Sequence, residues 1–333
     1  MLNVAMLSKW HVHADGYAKH LQSLENANIT AVWDENKERG SAWAKELGAG
    51  FESDLDALLR REDVDAVVVD APTSMHADVM IAAANAGKHI FTEKAMALTV
   101  AECDLISEAV RQAGVKFCIS FPARTRPHHL LAKQLVDEGH LGDITLLRIR
   151  NGHDGALRNW LPDYWYDEQL AGGGAMMDLG CHPMYLASWL LGQPKRITSM
   201  FSHFTGRAVE DNAQCSIEFA SHAVALLETS LVTYRTPPAF ELYGTEGTLI
   251  ISGDSVQVTS KYADSPLQGW ISPYRLPEAQ PLPLTQWVNG VLNDGPMPFG
   301  LEDGTKLTEL LETAYIAHRE RRTVEFKQPG GSK

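Results

Sequence analysis

Long apolar runs are missing from this sequence. No stretch approaches the roughly 18 residues that span a bilayer, and the longest candidates are broken by Asp, Lys or His. No membrane partner is therefore expected. Basic residues are also scarce, with 29 Lys and Arg against 42 Asp and Glu and a formal net charge of −13. So acidic a chain repels nucleic acid unless it carries a dense basic patch. The one basic cluster, Arg319-Glu320-Arg321-Arg322, is short and interrupted, and reads as a solvated helix end. Cysteine is sparse too. Residues 103, 118, 181 and 215 match no metal knuckle, redox pair or disulfide framework. With no basic leader in Met1-Leu2-Asn3-Val4, a reducing cytoplasm is the expected location.

What is present is a regular alternation. Apolar strands are expected at 4–7, 29–33, 64–69, 89–92 and 115–121, with helical spacing between them. Gly48, Gly87 and Gly114 fall where those helices should end, and Thr99 with Glu102 makes a capping box. Strand–helix alternation through short turns predicts an α/β fold, an N-terminal Rossmann-like doubly wound parallel sheet over 1–122. After Arg124 the rhythm changes. Pro127 opens a helix to about 137, and strand-like runs follow at 144–150, 196–204, 213–219, 223–233, 239–243 and 248–251. A C-terminal α+β domain with a large, mostly antiparallel open sheet is expected over 123–328. It should contain a proline-rich loop at 262–282 and a helix at 303–320, with a disordered tail over 329–333.

One further absence bears on chemistry. The first strand-to-helix turn of a dinucleotide fold usually reads Gly-x-Gly-x-x-Gly, so that backbone can approach a diphosphate. Here it reads Ser8-Lys9-Trp10-His11-Val12-His13, with no glycine. The helix N-terminus would still offer N–H groups and a positive dipole, Ser8 a hydroxyl, and Lys9 or His11 a charge. Asp34 ends the second strand, where a carboxylate accepts the adenosine ribose hydroxyls and repels a 2′-phosphate, which favours NAD over NADP. His11 and His13 invite a metal reading, but the sequence sets no acidic partner beside them, and no metal is expected.

Two more segments follow strands: Asp70-Ala71-Pro72-Thr73-Ser74-Met75-His76 and Thr92-Glu93-Lys94-Ala95. Ligands of open α/β sheets bind at such strand ends. Farther on, Gly172-Gly173-Gly174 precedes Asp178 and His182, which share one face of a helix at four-residue spacing. Asp, His and Lys gathered in one pocket suit dehydrogenation of an alcohol. The stretch 151–170, with His153, Arg158, Trp160 and Trp165, offers aromatic faces and hydrogen-bonding groups for a polyhydroxylated ring.

These motifs, with Ala86-Gly87-Lys88-His89, the Leu141-Gly142-Asp143-Ile144 turn and Gly244-Thr245-Glu246-Gly247-Thr248, resemble the glucose–fructose oxidoreductase/inositol dehydrogenase/MocA (Gfo/Idh/MocA) family over nearly the whole chain. The resemblance implies a Rossmann domain followed by an α/β domain, and NAD(P)-dependent chemistry on a hydroxyl or carbonyl of a sugar or cyclitol. It carries the family's Glu-Lys-Pro lysine onto Lys94, with Ala95 in place of the proline, and its aspartate and histidine onto Asp178 and His182. His182 is then the expected base, Lys94 the stabiliser of the alkoxide, and Asp178 the group that orients substrate. Ser8, Trp10, His11, Val12, Asp34, Pro72, Thr73, Glu93, Lys94 and Arg124 are the expected cofactor contacts. Two alternatives stay open: an enzyme that keeps NAD bound for elimination or epimerisation, and a sensor without turnover. An apolar open sheet face would seek cover in a homodimer or homotetramer.

Overall fold

The computed structural model describes residues 1–235, 239–262, 269–272 and 276–327. The tail and much of the expected 262–282 loop lie outside them. In chain order the first elements are β1 (Leu2–Leu7), α1 (Ala14–Gln22), β2 (Ala27–Trp33), α2 (Lys37–Leu47), β3 (Gly50–Phe51), α3 (Leu55–Leu59), β4 (Ala66–Val69), α4 (His76–Asn85), β5 (His89–Thr92), α5 (Val100–Ala113) and β6 (Phe117–Ile119). There follow α6 (Pro127–Asp137), β7 (Ile144–Gly152), α7 (Gly155–Arg158), α8 (Glu168–Ala171), α9 (Cys181–Leu191), β8 (Pro194–Ser202), β9 (Asn212–Phe219) and β10 (Val224–Ser230). The last are β11 (Ala239–Gly244), β12 (Gly247–Ser252), β13 (Ser255–Ser260), α10 (Pro283–Leu292), α11 (Leu301–Glu320) and β14 (Val324–Glu325). The chain forms two compact units: residues 1–122 with 169–172 and 281–308, and residues 123–168 with 173–280 and 309–333. The stretch 281–308, which the sequence reading leaves in the second domain, packs within the first unit.

The first unit holds a parallel sheet in the order β3-β2-β1-β4-β5-β6. This is the doubly wound arrangement, and its strand order reverses between β1 and β4. β4 is buried along its whole length, as an inner strand covered on both faces must be. Each such valine contributes about 1.5–3 kcal/mol by leaving water. The expected caps form: Thr99 and Glu102 make both halves of the capping box, and Gly114 closes α5 at φ +65°. Trp287 of α10, fully buried, lies 5.6 Å from the Phe91 ring.

The second unit holds eight strands in the order β13-β12-β11-β7-β10-β9-β8-β14, antiparallel except for β7 beside β10. β13 was not expected: in its polar alternation, Ser255-Val256-Gln257-Val258-Thr259-Ser260, the only buried apolar residues are two valines. One face carries the core, with Leu147, Leu227, Cys215, Ile217 and Leu242 buried. The opposite face corrects the expectation of an apolar surface. It is crossed by ion pairs, Arg148 and Arg150 to Glu228 (3.1 and 2.9 Å) and Lys195 to Glu218 (3.1 Å). No helix among the described residues is long and apolar enough to cross a membrane.

Candidate active site

In the first unit, the turns after β1, β4 and β5 and the residue after β2 leave the sheet at one edge, the carboxyl ends of parallel strands. The glycine-free turn keeps a glycine's backbone at its first position. Ser8 sits at φ +75°, and its hydroxyl accepts the Trp10 N–H at 3.0 Å, which offsets part of the strain. Four further amides of the turn donate within the protein. Ser8 N–H donates to Trp33 O (2.6 Å), Lys9 N–H to Asp34 Oδ2 (2.9 Å), His11 N–H to Asp70 O (3.0 Å) and His13 N–H to His11 Nδ1 (3.2 Å). These N–H groups are used inside the protein. Trp10 and His11 are buried, whereas Val12 is exposed.

Asp34 lies at the end of β2 as expected, but its carboxylate is already saturated. Oδ1 accepts from Asn36 N–H (2.7 Å) and Arg39 Nη2 (2.7 Å), and Oδ2 from Lys9 N–H and Arg39 Nε (2.9 Å each). A carboxylate offers about four acceptor directions, so a ribose diol must displace one of these donors. Arg39, absent from the expected site residues, covers Asp34 and also reaches Glu35 at 2.5 Å. Its helical spacing from Glu35 was the available signal.

Pro72 and Thr73 follow β4, with Thr73 buried. Glu93 and Lys94 follow β5 and are almost fully buried. The loop after Lys94 is pinned despite the missing proline, because the His76 ring lies between Ala95 O (2.9 Å) and Ala71 O (3.1 Å). The Lys94–Ala95 peptide is cis. Glu93 gathers a network: Tyr17 OH donates to Oε1, His13 Nδ1 lies 2.8 Å from the same oxygen, and Lys94 N–H donates to Oε2 at 2.8 Å. Burial alone would push this carboxyl up. The charges of His11 and His13, the His13 hydrogen bond and the Lys94 charge overcome it and hold Glu93 well below the usual range. Glu93 is thus the acidic partner that the sequence did not set beside His11 and His13, brought there from 80 residues away. Asp70 behaves oppositely. Burial, reinforced by the Glu93 and Asp15 charges, pushes it well up, and neither of its oxygens has a hydrogen-bond partner.

In the second unit, Asp178 lies on one turn of π-helix, Met176–Gly180, that leads directly into α9, where His182 sits. Wider turns of this kind bring residues four apart closer to alignment than an α-helix does, and they recur at functional sites. Both side chains are half-buried. His182 Nδ1 lies 2.9 Å from Tyr185 OH, which also accepts the Ala123 N–H at 3.1 Å. The glycine run is tightly packed. A Cβ on Gly174 would lie 1.9 Å from the Glu210 carbonyl oxygen. Glu210 accepts from Gly174 N–H (3.0 Å), Met176 N–H (2.8 Å) and Tyr315 OH (2.7 Å).

The expected substrate residues separate. His153 is close enough to Asp178 for that charge to raise it, although burial lowers its pKa overall. Its ring lies 4.7 Å from Trp160, which is exposed. Trp165 is buried core, and Arg158 is paired with Asp154 at 2.6 Å. Arg124 lies over the Trp189 ring at 4.9 Å. Tyr166 was missed. Its hydroxyl is buried without a hydrogen-bond partner, and its pKa is raised by burial, with Asp163 and Asp178 among the charges that add to the rise.

Residues 11–121 match the model of an oxidoreductase family with an NAD-binding Rossmann fold, and residues 129–250 match the Gfo/Idh/MocA C-terminal domain. The scyllo-inositol 2-dehydrogenase (NAD(+)) of Bacillus subtilis is 32% identical over 248 residues, 71% of this chain and 69% of that protein. The chain belongs to the Gfo/Idh/MocA oxidoreductase family. Another relative is the levoglucosan dehydrogenase of Pseudarthrobacter phenanthrenivorans, 28% identical over 68% of this chain and 67% of its own. A levoglucosan dehydrogenase in complex with NADH and levoglucosan shares the fold, at a TM-score of 0.84 over 98% of this chain and 100% of that one, with 23% identity. The aldose-aldose oxidoreductase of Caulobacter crescentus, complexed with glycerol, reaches 0.81 at 25% identity over 98% and 99%.

Proposed function

We propose that this Gfo/Idh/MocA protein is an NAD-dependent dehydrogenase that moves a hydride between nicotinamide and a hydroxyl-bearing carbon of a sugar, cyclitol or related compound. The observation that carries the reading is Lys94, a lysine 4% exposed at the end of β5 in a sheet of doubly wound order. A buried ammonium at a ligand-binding strand end suits an oxygen that becomes negative during reaction. His182 is the base for the hydroxyl proton. In that role its Nδ1 keeps a proton and donates to Tyr185, leaving Nε2 to accept. Asp178 orients substrate through a neighbouring hydroxyl, and the unpartnered Tyr166 hydroxyl and His153 stand near it as further contacts. The hydride acceptor is the nicotinamide, supplied by the bound cofactor.

The surroundings of Asp34 support NAD over NADP. Arg39 pairs with Asp34 and Glu35, and Lys9 with Asp15 and Glu46. The group holds two more carboxylates than cations, which disfavours a 2′-phosphate. The ribose shares Asp34 with Arg39 by taking one of its acceptor positions.

The test is turnover with a panel of sugars, inositols and sugar acids. Lys94→Ala and His182→Ala should each lower kcat by about 10²–10⁴-fold on the substrate found, with unchanged circular dichroism. Full activity in either variant would remove that residue from the chemistry.

A further inference from the structure

We propose that His11, His13 and Glu93 form a binding site for one first-row divalent metal ion, entered from the solvent side of the turn after β1. One ring nitrogen of each histidine and one carboxylate oxygen of Glu93 all lie within 4.8 Å of one another. Two imidazoles and a carboxylate suit zinc and its neighbours, and three protein ligands leave coordination positions open. Apart from the His13 N–H bond that His11 Nδ1 accepts at 3.2 Å, the donor spacing is close to that around a bound ion. Tetrahedral bonds of about 2.0–2.1 Å place donors about 3.3 Å apart. The present separations bracket that value, from 2.8 Å between His13 Nδ1 and Glu93 Oε1 to the 4.8 Å limit. The side chain of His13 is 48% exposed, so it can turn and an ion can reach the two buried ligands.

Two independent features point the same way. Glu93 is oriented as metal-bound carboxylates are, by hydrogen bonds from Tyr17 OH and Lys94 N–H that fix its plane. Asp70, whose backbone carbonyl accepts the His11 N–H at 3.0 Å, is fully buried with no hydrogen-bond partner on either carboxyl oxygen. A buried carboxyl without a partner is costly, and a nearby cation offsets that cost. The amides of Ser8, Lys9, Trp10, His11 and His13 donate within the protein. The turn's distinctive possession is the pair of imidazoles. Binding displaces the proton that His13 shares with Glu93, so affinity falls with falling pH.

The proposal is independent of the hydride-transfer reading and is tested without nucleotide or substrate. The full chain is stripped with chelator, loaded with Co²⁺ or Zn²⁺ and gel-filtered, and its metal content and visible Co²⁺ spectrum are measured. One equivalent per chain is expected, with Co²⁺ bands of a low-symmetry nitrogen–oxygen site. His13→Ala, at an exposed position, and Glu93→Gln should each weaken binding at least about tenfold. His20→Ala, on the helix that follows the turn, should bind as the wild type does. Circular dichroism melts establish that each variant is folded. Binding well below one equivalent would overturn the proposal, as would folded His13→Ala and Glu93→Gln proteins that keep the wild-type affinity and spectrum.

Discussion

Ser8 illustrates how single residues here satisfy a geometry their side chains would not favour. Its left-handed backbone is held by its own hydroxyl, which does locally what a glycine would do without strain. His129 shows the same tension between burial and chemistry. Burial pushes its pKa down to about 4, with Arg126 and His128 adding to the fall and only the bond to Ala123 O (2.7 Å) opposing it. The folded state therefore binds fewer protons than the unfolded state between about pH 6.5 and pH 4, and stability rises with pH through that window. His129 should contribute up to about 3 kcal/mol above pH 6.5 that is lost by pH 4. His129→Asn, whose amide can keep the bond to Ala123, should flatten urea-derived stability across this range relative to wild type. An unchanged slope would place the dependence elsewhere. Single residues were the least legible part of the sequence. Asp34 could be placed at its strand end, but the donors that fill its carboxylate come from the preceding turn and the following helix. Glu93 could not be set beside His13, because only the parallel order of β1, β4 and β5 brings 80 residues of separation to one edge.

At the scale of elements, the segment Gly172–His182 depends on close packing as much as on its own hydrogen bonds. Gly174 presses its α-carbon against the Glu210 backbone, while the Glu210 carboxylate accepts from the start of the π turn that carries Asp178. Burial pushes the Glu210 pKa up even with the Tyr315, Met176 and Gly174 hydrogen bonds opposing the rise, so the carboxylate is held at some cost in desolvation. Gly174→Ala should therefore destabilise the protein by about 1–3 kcal/mol and lower kcat, because the turn must move to admit the methyl group. Thermal melts and turnover check both parts; wild-type values in each would show that the close approach is readily relieved. The sequence pattern announced the capped helices well, since Thr99, Glu102, Gly48 and Gly114 carry their mechanism locally. It announced β13 poorly, because half that strand faces water. The glycine run was legible as special, but its reason lies in Glu210 and Tyr315, far along the chain.

For the whole molecule, two units carry the proposed chemistry. One presents Asp34, Glu93 and Lys94 at the edge of a doubly wound sheet, and the other presents Asp178 and His182 at the start of one helix. The alternation of strands and helices made the first unit legible, because parallel crossovers admit few topologies. The return of 281–308 to that unit was not legible, since Trp287 reads as an ordinary buried aromatic until Phe91 is seen against it. Proposed hydride transfer is read by mixing the purified protein with NAD or NADP and the substrate panel while following NADH absorbance and fluorescence. Reduction of NAD in preference to NADP by at least one polyhydroxylated substrate is expected, and its loss in Lys94→Ala. Failure to bind NAD(H), with no reduction by any compound of the panel, would contradict the proposal.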